Sequence, residues 1–275
     1  MAIKLSIEEW LHLGLELAGH EAFRIQRTCL DTNLQRFKSH FFANPSAVAA
    51  IFNDIQATTP NAKPSDLLNA LRYLKEYPKK AGVAAFNKST EKTGLSKAWL
   101  YIHKIQDLKE KKIKWIFDNP DIDEKFIVSV DGVHFRISEP RDQPSAGWYS
   151  KKYNKAGVSY EIAIAIHHNQ VVWINGPFPA GHNDKKIFKE KGLYDKIPEG
   201  KKALGDDGYV GYPDKCSTKN KDFDSKPVKE FKRRVAARQE TFNSRLKHFE
   251  ILNTVFRSKG KDRLVKHKAA LKHAV

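Results

Sequence analysis

Cysteine is scarce in this chain: Cys29 and Cys216 are the only two among 275 residues. They belong to no paired-thiol motif and to no metal-ligand spacing, which excludes a site built from paired cysteines. Few and isolated thiols are typical of proteins from a reducing compartment. We therefore expect an intracellular protein.

Long apolar runs are also lacking. No uninterrupted apolar stretch approaches the roughly 18 residues of a membrane span, and the first residues, MAIKLSIEEWLHLG, carry acids where a signal peptide needs an apolar core. A glycine-rich phosphate loop, a nucleophile elbow and a zinc-binding HExxH motif are absent too. The sequence therefore predicts a soluble protein with no membrane partner. It also excludes the enzyme classes that depend on one of these three motifs.

Positive charge is what the chain has in excess. Lys and Arg number 49 against 32 Asp and Glu, which gives a formal net charge of +17. Such a field attracts polyanions, and because the basic residues recur over 104–114, 151–155 and 229–247, nucleic acid is the favoured partner. A solvated basic surface without a partner is the alternative at this point.

The first 115 residues have helical periodicity and no strand-like alternation. One helix is expected to begin at Pro64 and Ser65 and to end before Pro78. A short helix at 81–86, a polar turn and a longer basic helix starting at Ser89 or Ser96 are typical of helix-turn-helix motifs. Any small helical bundle gives a similar pattern, so DNA reading by this segment stays open.

The pattern changes after the segment 117–124, whose Asn, Pro and repeated Asp indicate a linker. We divide the chain into a helical domain at 1–118 and a second domain at 119–275. In the second domain we expect strands at 126–130, 160–167, 171–174 and 202–205, and helices at 183–196 and from 228 to about 255. This order is that of an α/β fold.

Four acidic residues stand out by position: Asp131 closing the first strand, Asp184 opening a helix, Asp206 after the fourth strand, and Glu240 in the last helix. Carboxylates at strand ends point into the crevice where α/β folds bind ligands, and Mg²⁺ prefers such oxygen ligands. Each also has an ordinary interpretation. Asp131 and Asp206 suit turns, Asp184 suits a helix cap, and Glu240 suits a solvated face.

The histidines give weaker signals. The pair His167 and His168 lacks further ligands at metal spacing, so a polar turn is favoured over a zinc site. His182, two residues before Asp184, is retained as a group that could support the acids without binding a ligand directly.

Several sequence blocks together resemble a known family. They are VDGVHF at 130–135, GWYSKKYNKAGVSYEIAIAI at 147–166, GHND followed by KKIF at 181–188, LGDDGY at 204–209, and RQETFNSRLK at 238–247. In order and spacing they resemble the DDE endonuclease domain of Harbinger/PIF-like transposases. The resemblance covers about 126–265, and the helical segment before it is similar to the one that precedes this domain in related proteins.

The resemblance implies an RNase H-like catalytic domain, a mixed sheet flanked by helices, after an all-α domain. It implies a DDE triad that holds Mg²⁺ or Mn²⁺, as two ions, and that hydrolyses DNA at element ends and joins them to target DNA. Asp131 is the first triad carboxylate and Glu240 the last. The second triad carboxylate is left open: Asp206 is favoured, Asp184 is the alternative and otherwise a supporting metal ligand, and Asp207 is an extra acid beside Asp206 that keeps the choice within this pair open.

The leading hypothesis is therefore a nuclear, metal-dependent transposase-type endonuclease acting on double-stranded DNA. Arg233, Arg234, Arg238 and Lys247 would hold the phosphate backbone. A Myb-like DNA-binding partner is implied by the family, and a homo-oligomer is left open. The alternative is a domesticated DNA-binding protein that no longer cuts. The chain stops at Val275, where such proteins usually continue, so a truncated copy is open as well.

Overall fold

The structure, a computed structural model, describes residues 3–118, 124–141, 145–190, 192–218 and 224–275. These residues form two compact units. The first comprises residues 3–109 with Phe249–Ile251 and Lys272–Ala274, and the second comprises the described residues of 110–248 with Leu252–Leu271 and Val275. Most of the expected linker, residues 119–123, lies outside the described residues, so the boundary at 118 stays a prediction.

The first unit is helical throughout its described residues. The helices that begin in it before residue 110 are α1 (Ile7–Leu17), α2 (Ala22–Arg27), α3 (Leu30–Phe41), α4 (Pro45–Thr58), α5 (Pro64–Glu76), α6 (Lys80–Asn87) and α7 (Glu91–Lys112). The expected start of α5 is confirmed, because Pro64 occupies a first-turn position where no amide hydrogen is needed. The helix ends where Tyr77 adopts a left-handed conformation with φ 42°, one residue before Pro78.

The segment expected to be a helix-turn-helix consists of α6, a short turn and α7. Of the two starts considered for the long helix, the structure favours the earlier one, since α7 begins at Glu91. The Thr90 hydroxyl oxygen accepts a hydrogen bond from the Thr93 amide at 3.2 Å, which satisfies one free amide of the first turn. DNA reading by this segment stays a prediction.

The second unit is built on a mixed sheet. Its strands are β1 (Phe126–Arg136), β2 (Tyr149–Ser150), β3 (Lys155–Ala165), β4 (Val171–Pro179), β5 (Lys202–Gly205) and β6 (Cys216–Thr218). β1 lies between antiparallel β3 and parallel β5. β4 pairs antiparallel with β3, β6 pairs parallel with β5, and the short β2 pairs with the start of β3. The chain is therefore mixed α/β in this unit, as expected.

Two of the helices that follow β4 cover opposite faces of this sheet. The helices in this part of the chain are α8 (Asp184–Glu190), α9 (Leu193–Lys196), α10 (Lys226–Leu246), α11 (Glu250–Asn253) and α12 (Arg263–Ala274). Ser129 of β1 is hydrogen-bonded to α10, whereas the next residue, Val130, shares a buried cluster with Phe188 of α8. Because successive strand residues point to opposite faces, α10 and α8 cover opposite faces of β1.

The structure corrects the bounds of three expected strands. β1 does not close at Asp131, because Asp131 and Gly132 continue the antiparallel pairing with Ile162 and Glu161 and the strand runs on to Arg136. β3 begins five residues before the expected Tyr160 and ends at Ala165, and β4 continues five residues beyond Ile174. Polar and glycine residues inside these strands concealed them from the alternation pattern. The strand at 202–205 is confirmed.

Two expected helices are also shorter than predicted. The helix expected at 183–196 is broken into α8 and α9, since Gly192 adopts φ 107°, which a helix interior does not permit. The last long helix ends at Leu246, with Lys247 as its C-terminal cap, rather than near Val255. Among the described residues, no helix has both the length and the apolar character that crossing a membrane requires.

Candidate active site

An open edge in the sheet creates the candidate site. β1 pairs with β5 only from Phe126 to Ser129, and the next backbone contact on that side is at Arg136, whose carbonyl oxygen accepts from the Phe256 amide at 2.9 Å. Residues 130–135 therefore have no strand partner there among the described residues. Asp131 lies two residues past the last pair, and Asp206 directly follows the end of β5 at Gly205. The two carboxylates therefore lie at the same edge, although only Asp206 follows a strand end.

A pocket of about 440 Å³ opens between this edge and α10. It is lined by Ser129, Val130, Asp131, Lys152, Leu204, Gly205, Asp206, Lys232, Val235, Ala236, Gln239, Glu240, Asn243, Ser244 and Lys247. Three of the four acids singled out from the sequence are in this lining: Asp131, Asp206 and Glu240. The fourth, Asp184, is not.

Asp131 is held on the α10 side of the sheet. Its Oδ2 accepts a hydrogen bond from Asn243 Nδ2 at 2.5 Å. Burial raises the pKa of Asp131 to about 6, and the negative charges of Asp206 and Asp184 add to this effect, while the Gly132 amide and the Lys152 charge oppose it. The turn interpretation of Asp131 is wrong, because the residue lies inside a strand and near two other acids.

Asp184 approaches the same edge from the other face of the sheet. A β-carbon placed on Gly132 would lie 2.2 Å from Asp184 Oδ1, so the carboxylate lies directly against the glycine backbone. The first turn of α8 is capped by a different residue, since Asn183 Oδ1 accepts from the Lys185 amide at 2.9 Å. Burial, and then the charge of Asp206, raise the pKa of Asp184 to about 6.

The charge of Asp206 acts on both of the other aspartates, Asp131 and Asp184. Asp206 Oδ1 accepts from the Gly208 amide at 2.9 Å, so Asp206 also has the turn role that its sequence suggested. Its charge contributes to the raised pKa of both Asp131 and Asp184. The neighbouring Asp207 lies outside the pocket lining.

Glu240 lies on the exposed side of α10 and lines the pocket. Two neighbours on the helix fix its position relative to β1. Gln239 Oε1 accepts a hydrogen bond from the buried Ser129 hydroxyl at 2.6 Å, and Asn243 donates to Asp131. Glu240 is not among the charges that raise the pKa of Asp131 or Asp184.

The four basic residues expected to contact DNA have different environments. Arg233 and Arg234 are exposed on α10. Arg238 donates to the carbonyl oxygens of residues 165, 166 and 168 at 2.8–3.0 Å, so its guanidinium caps the end of β3. Lys247 is partly buried and lines the pocket. Their contact with DNA stays a prediction, and for Arg238 the structure supplies a competing structural role.

Sequence reasoning missed several polar residues around the acids. Lys152, Gln239 and Asn243 line the pocket, and all three fall within blocks that carried the family resemblance. Their membership of those blocks was the available signal. An amide at 243, one helical turn after Glu240, is a sign that the helix faces a carboxylate.

Glu161 is the least expected of the missed residues. It is 1% exposed, and its position opposite Gly132 in the β1–β3 register places it on the Asp184 side of the sheet. Trp173 Nε1 donates to Glu161 Oε1 at 3.0 Å, while Oε2 is buried without a partner among the described residues. Burial raises the pKa of Glu161 to about 8, and the Asp184 charge adds to it.

The histidines do not form a metal site. His167 Nε2 lies 2.6 Å from Glu124 Oε2 and 3.1 Å from the Phe126 carbonyl oxygen, which fits the expected polar turn. The ring of His182 packs edge-on against Phe178 at 6.3 Å. Within the described ranges, no group of three or more His, Cys, Asp or Glu residues is arranged to hold a metal ion by itself.

Comparison with known proteins gives one family. The family model described as DDE superfamily endonuclease matches residues 130–271, just over half of the chain. Neither the comparison with curated proteins nor the comparison with solved structures produced a match. The matched range contains every acid of the candidate site, from Asp131 to Glu240. This chain therefore belongs to the DDE superfamily endonuclease family.

Proposed function

We propose that the chain is a transposase-type DNA endonuclease that uses divalent metal ions to hydrolyse phosphodiester bonds and to transfer strands. The observation that carries the proposal is that Asp131, Asp206 and Glu240 line one pocket at the open sheet edge. Asp131, Asp206 and Glu240 are the principal metal ligands in this proposal. Asp184, which reaches the edge from the opposite face, supports them.

The donor chemistry of the pocket fits Mg²⁺ or Mn²⁺. Such ions bind through one or two carboxylates and leave their other positions to water and phosphate oxygens, so a complete protein cage is not required. Burial first, and then repulsion among the acids, raise the pKa values of Asp131 and Asp184, and a bound cation would relieve the repulsion. Asp131, Asp206 and Glu240 would hold the ions, which would supply charge stabilisation for an in-line phosphoryl displacement.

The protein's own residues prepare this site. Asn243 orients the Asp131 carboxylate through its 2.5 Å hydrogen bond, and the Gly208 amide orients Asp206. Gln239 ties α10 to β1 beside Glu240. Because the groups are fixed before substrate arrives, little reorganisation is left for the reaction.

The finer family assignment belongs to the same proposal. The strand order, with β1 between antiparallel β3 and parallel β5, supports an RNase H-like catalytic fold. The sequence blocks at 130–135 and 204–209 support the Harbinger/PIF group. A Myb-like partner rests on that resemblance alone. Nuclear localisation rests on the chromosomal substrate and on basic runs such as 229–234, and assembly as an oligomer stays open.

A domesticated DNA-binding protein that no longer cuts is the second candidate function. Two observations favour it. Glu240 is exposed, and the described acids do not form a three-residue metal group. DNA binding would then rest on the net charge of +17.

The test is nicking of supercoiled DNA by the full chain with Mg²⁺, with Mn²⁺ and with EDTA. We expect metal-dependent nicking that is lost in Glu240→Gln and in Asp206→Asn but retained in the matched control Asp207→Asn. Salt-sensitive binding without nicking in any metal would establish the second candidate instead. Equal losses in Asp206→Asn and Asp207→Asn would contradict the assignment of Asp206.

A further inference from the structure

Lys152 is presented to the pocket by a tightly fixed turn. The amides of Tyr153 and Asn154 both donate to the Ser150 carbonyl oxygen, at 3.2 and 2.8 Å. The Tyr153 hydroxyl donates to the His134 carbonyl oxygen at 2.9 Å, which ties the turn to β1. The backbone of an exposed lysine is therefore held in one place, and this lysine lines the pocket whereas its neighbour Lys151 does not.

Lys247 faces the same pocket from the end of α10. It caps the helix, with its amide donating to the Ser244 carbonyl oxygen at 3.1 Å, and it is partly buried. Burial and the nearby charge of Lys152 lower the pKa of Lys247. Both lysines line one pocket, and their ammonium groups repel each other.

Neither ammonium group has a hydrogen-bond or ion-pair partner among the residues that the structure describes. The Lys152 charge reaches Asp131 and Asp184 only as a longer-range attraction that lowers the pKa of each carboxyl. Two neighbouring cations without a counter-ion, one of them partly buried, are unfavourable until an anion lies between them. A phosphate group offers several strong acceptor oxygens for such a pair.

We propose that Lys152 and Lys247 form a phosphate-binding subsite at the mouth of the acidic pocket, which holds a backbone phosphate of the DNA strand that is cut. The inference rests on the proposed function, because the anion it names is DNA. It assigns the two sides of one pocket to different tasks. The carboxylates of Asp131, Asp206 and Glu240 serve the metal ions, and the two lysines place the strand.

The subsite is tested by DNA binding without catalysis. Binding of a short duplex to the full chain is measured in EDTA over a range of salt concentrations, for the wild type, Lys152→Gln, Lys247→Gln and the double variant. Lys151→Gln is the matched control, because it removes the same charge from the same turn outside the pocket. Urea unfolding of each variant establishes that the fold is unchanged.

The slope of log affinity against log salt falls by about 0.9 for each phosphate contact that is lost. We expect Lys152→Gln to reduce the slope by up to that amount, the double variant to reduce it by about 0.9 in total, and Lys151→Gln to leave it unchanged. A loss of about twice 0.9 in the double variant would mean two separate phosphates and would overturn the shared subsite. Equal effects of Lys151→Gln and Lys152→Gln would overturn it as well.

Nicking assays on the same proteins separate this inference from the proposed function. If the wild type binds DNA with the expected slopes but never nicks, the phosphate subsite stands and the nuclease proposal fails. If the wild type nicks in Mg²⁺ while Lys152→Gln and Lys247→Gln bind and nick like the wild type, the nuclease stands and the subsite is wrong.

Discussion

Asp131 should make the folded protein less stable at neutral pH, and its removal should therefore stabilise the fold. Burial and the charges of Asp206 and Asp184 raise its pKa from an ordinary value of 3.8 to about 6. Below pH 3.8 the group is protonated in both folded and unfolded chains and carries no penalty. As the pH rises to about 6, the unfolded chain loses its proton first, so the free energy of unfolding falls.

The size of the effect follows from the two pKa values. One pH unit between them changes the free energy of unfolding by about 1.4 kcal/mol, so the full interval corresponds to about 3 kcal/mol. Asp131→Asn mimics the protonated acid and keeps an oxygen that can accept from Asn243. We expect it to be about 3 kcal/mol more stable than the wild type at pH 7.5 and equal to it near pH 3.5.

Urea unfolding in EDTA between pH 3.5 and 7.5 measures this difference. The exposed Asp107 on α7 provides the control, because Asp107→Asn should change the stability by no more than about 0.5 kcal/mol at any pH. The reasoning would be refuted if the advantage of Asp131→Asn were absent at pH 7.5 or did not grow between pH 4 and 6. A nuclease site predicts one further result: Asp131→Asn gains stability and loses metal-dependent nicking together.

Three other perturbations test neighbouring parts of the structure. Gly132→Ala would place a methyl group 2.2 Å from Asp184 Oδ1, so we expect the free energy of unfolding in urea to fall by about 1–3 kcal/mol. Gly147→Ala is the control and should be neutral, because its added methyl group would have no atom within 4 Å. His267 is fully buried, and burial lowers its pKa from 6.5 to about 3. The unfolded chain therefore gains a proton first as the pH falls below 6.5. The free energy of unfolding of the wild type should fall by about 2 kcal/mol between pH 7 and 5, relative to that of His267→Gln. An equal pH dependence of the two proteins would contradict this. Arg238→Gln removes three hydrogen bonds to carbonyl oxygens and should lower the stability by about 1–3 kcal/mol, whereas a residue that only contacts DNA would change the affinity alone.

The sequence predicted the elements that follow strong local signals. Pro64 marked the start of α5, and the short strand predicted at 202–205 matched β5. The prediction from the sequence was wrong where local signals and tertiary pairing disagree. Asp131 and Gly132 suggest a turn in isolation, yet antiparallel pairing with β3 keeps both in a strand that continues to Arg136.

Asp131 and Asp206 line one pocket, but the strand-end rule used for the sequence accounts for only one of the two. The position of Asp206 after β5 followed the expected rule for strand ends. Asp131 reaches the same edge because β5 is short and leaves residues 130–135 of β1 without a strand partner on that side among the described residues. A pattern within one strand does not reveal the length of its neighbour, so this part of the geometry needed the structure.

The polar residues that the sequence did not single out explain how the pocket tolerates its charges. Asn243 offsets part of the burial of Asp131 by a hydrogen bond, and Lys152 attracts both Asp131 and Asp184 without pairing with either. A direct ion pair would neutralise the carboxylates and block a metal ion, whereas a more distant lysine lowers their repulsion and stays available to an anion. The same chain can therefore carry a net charge of +17, attract a polyanion over long range, and still present uncompensated carboxylates at the point where a phosphodiester and its metal ions would meet.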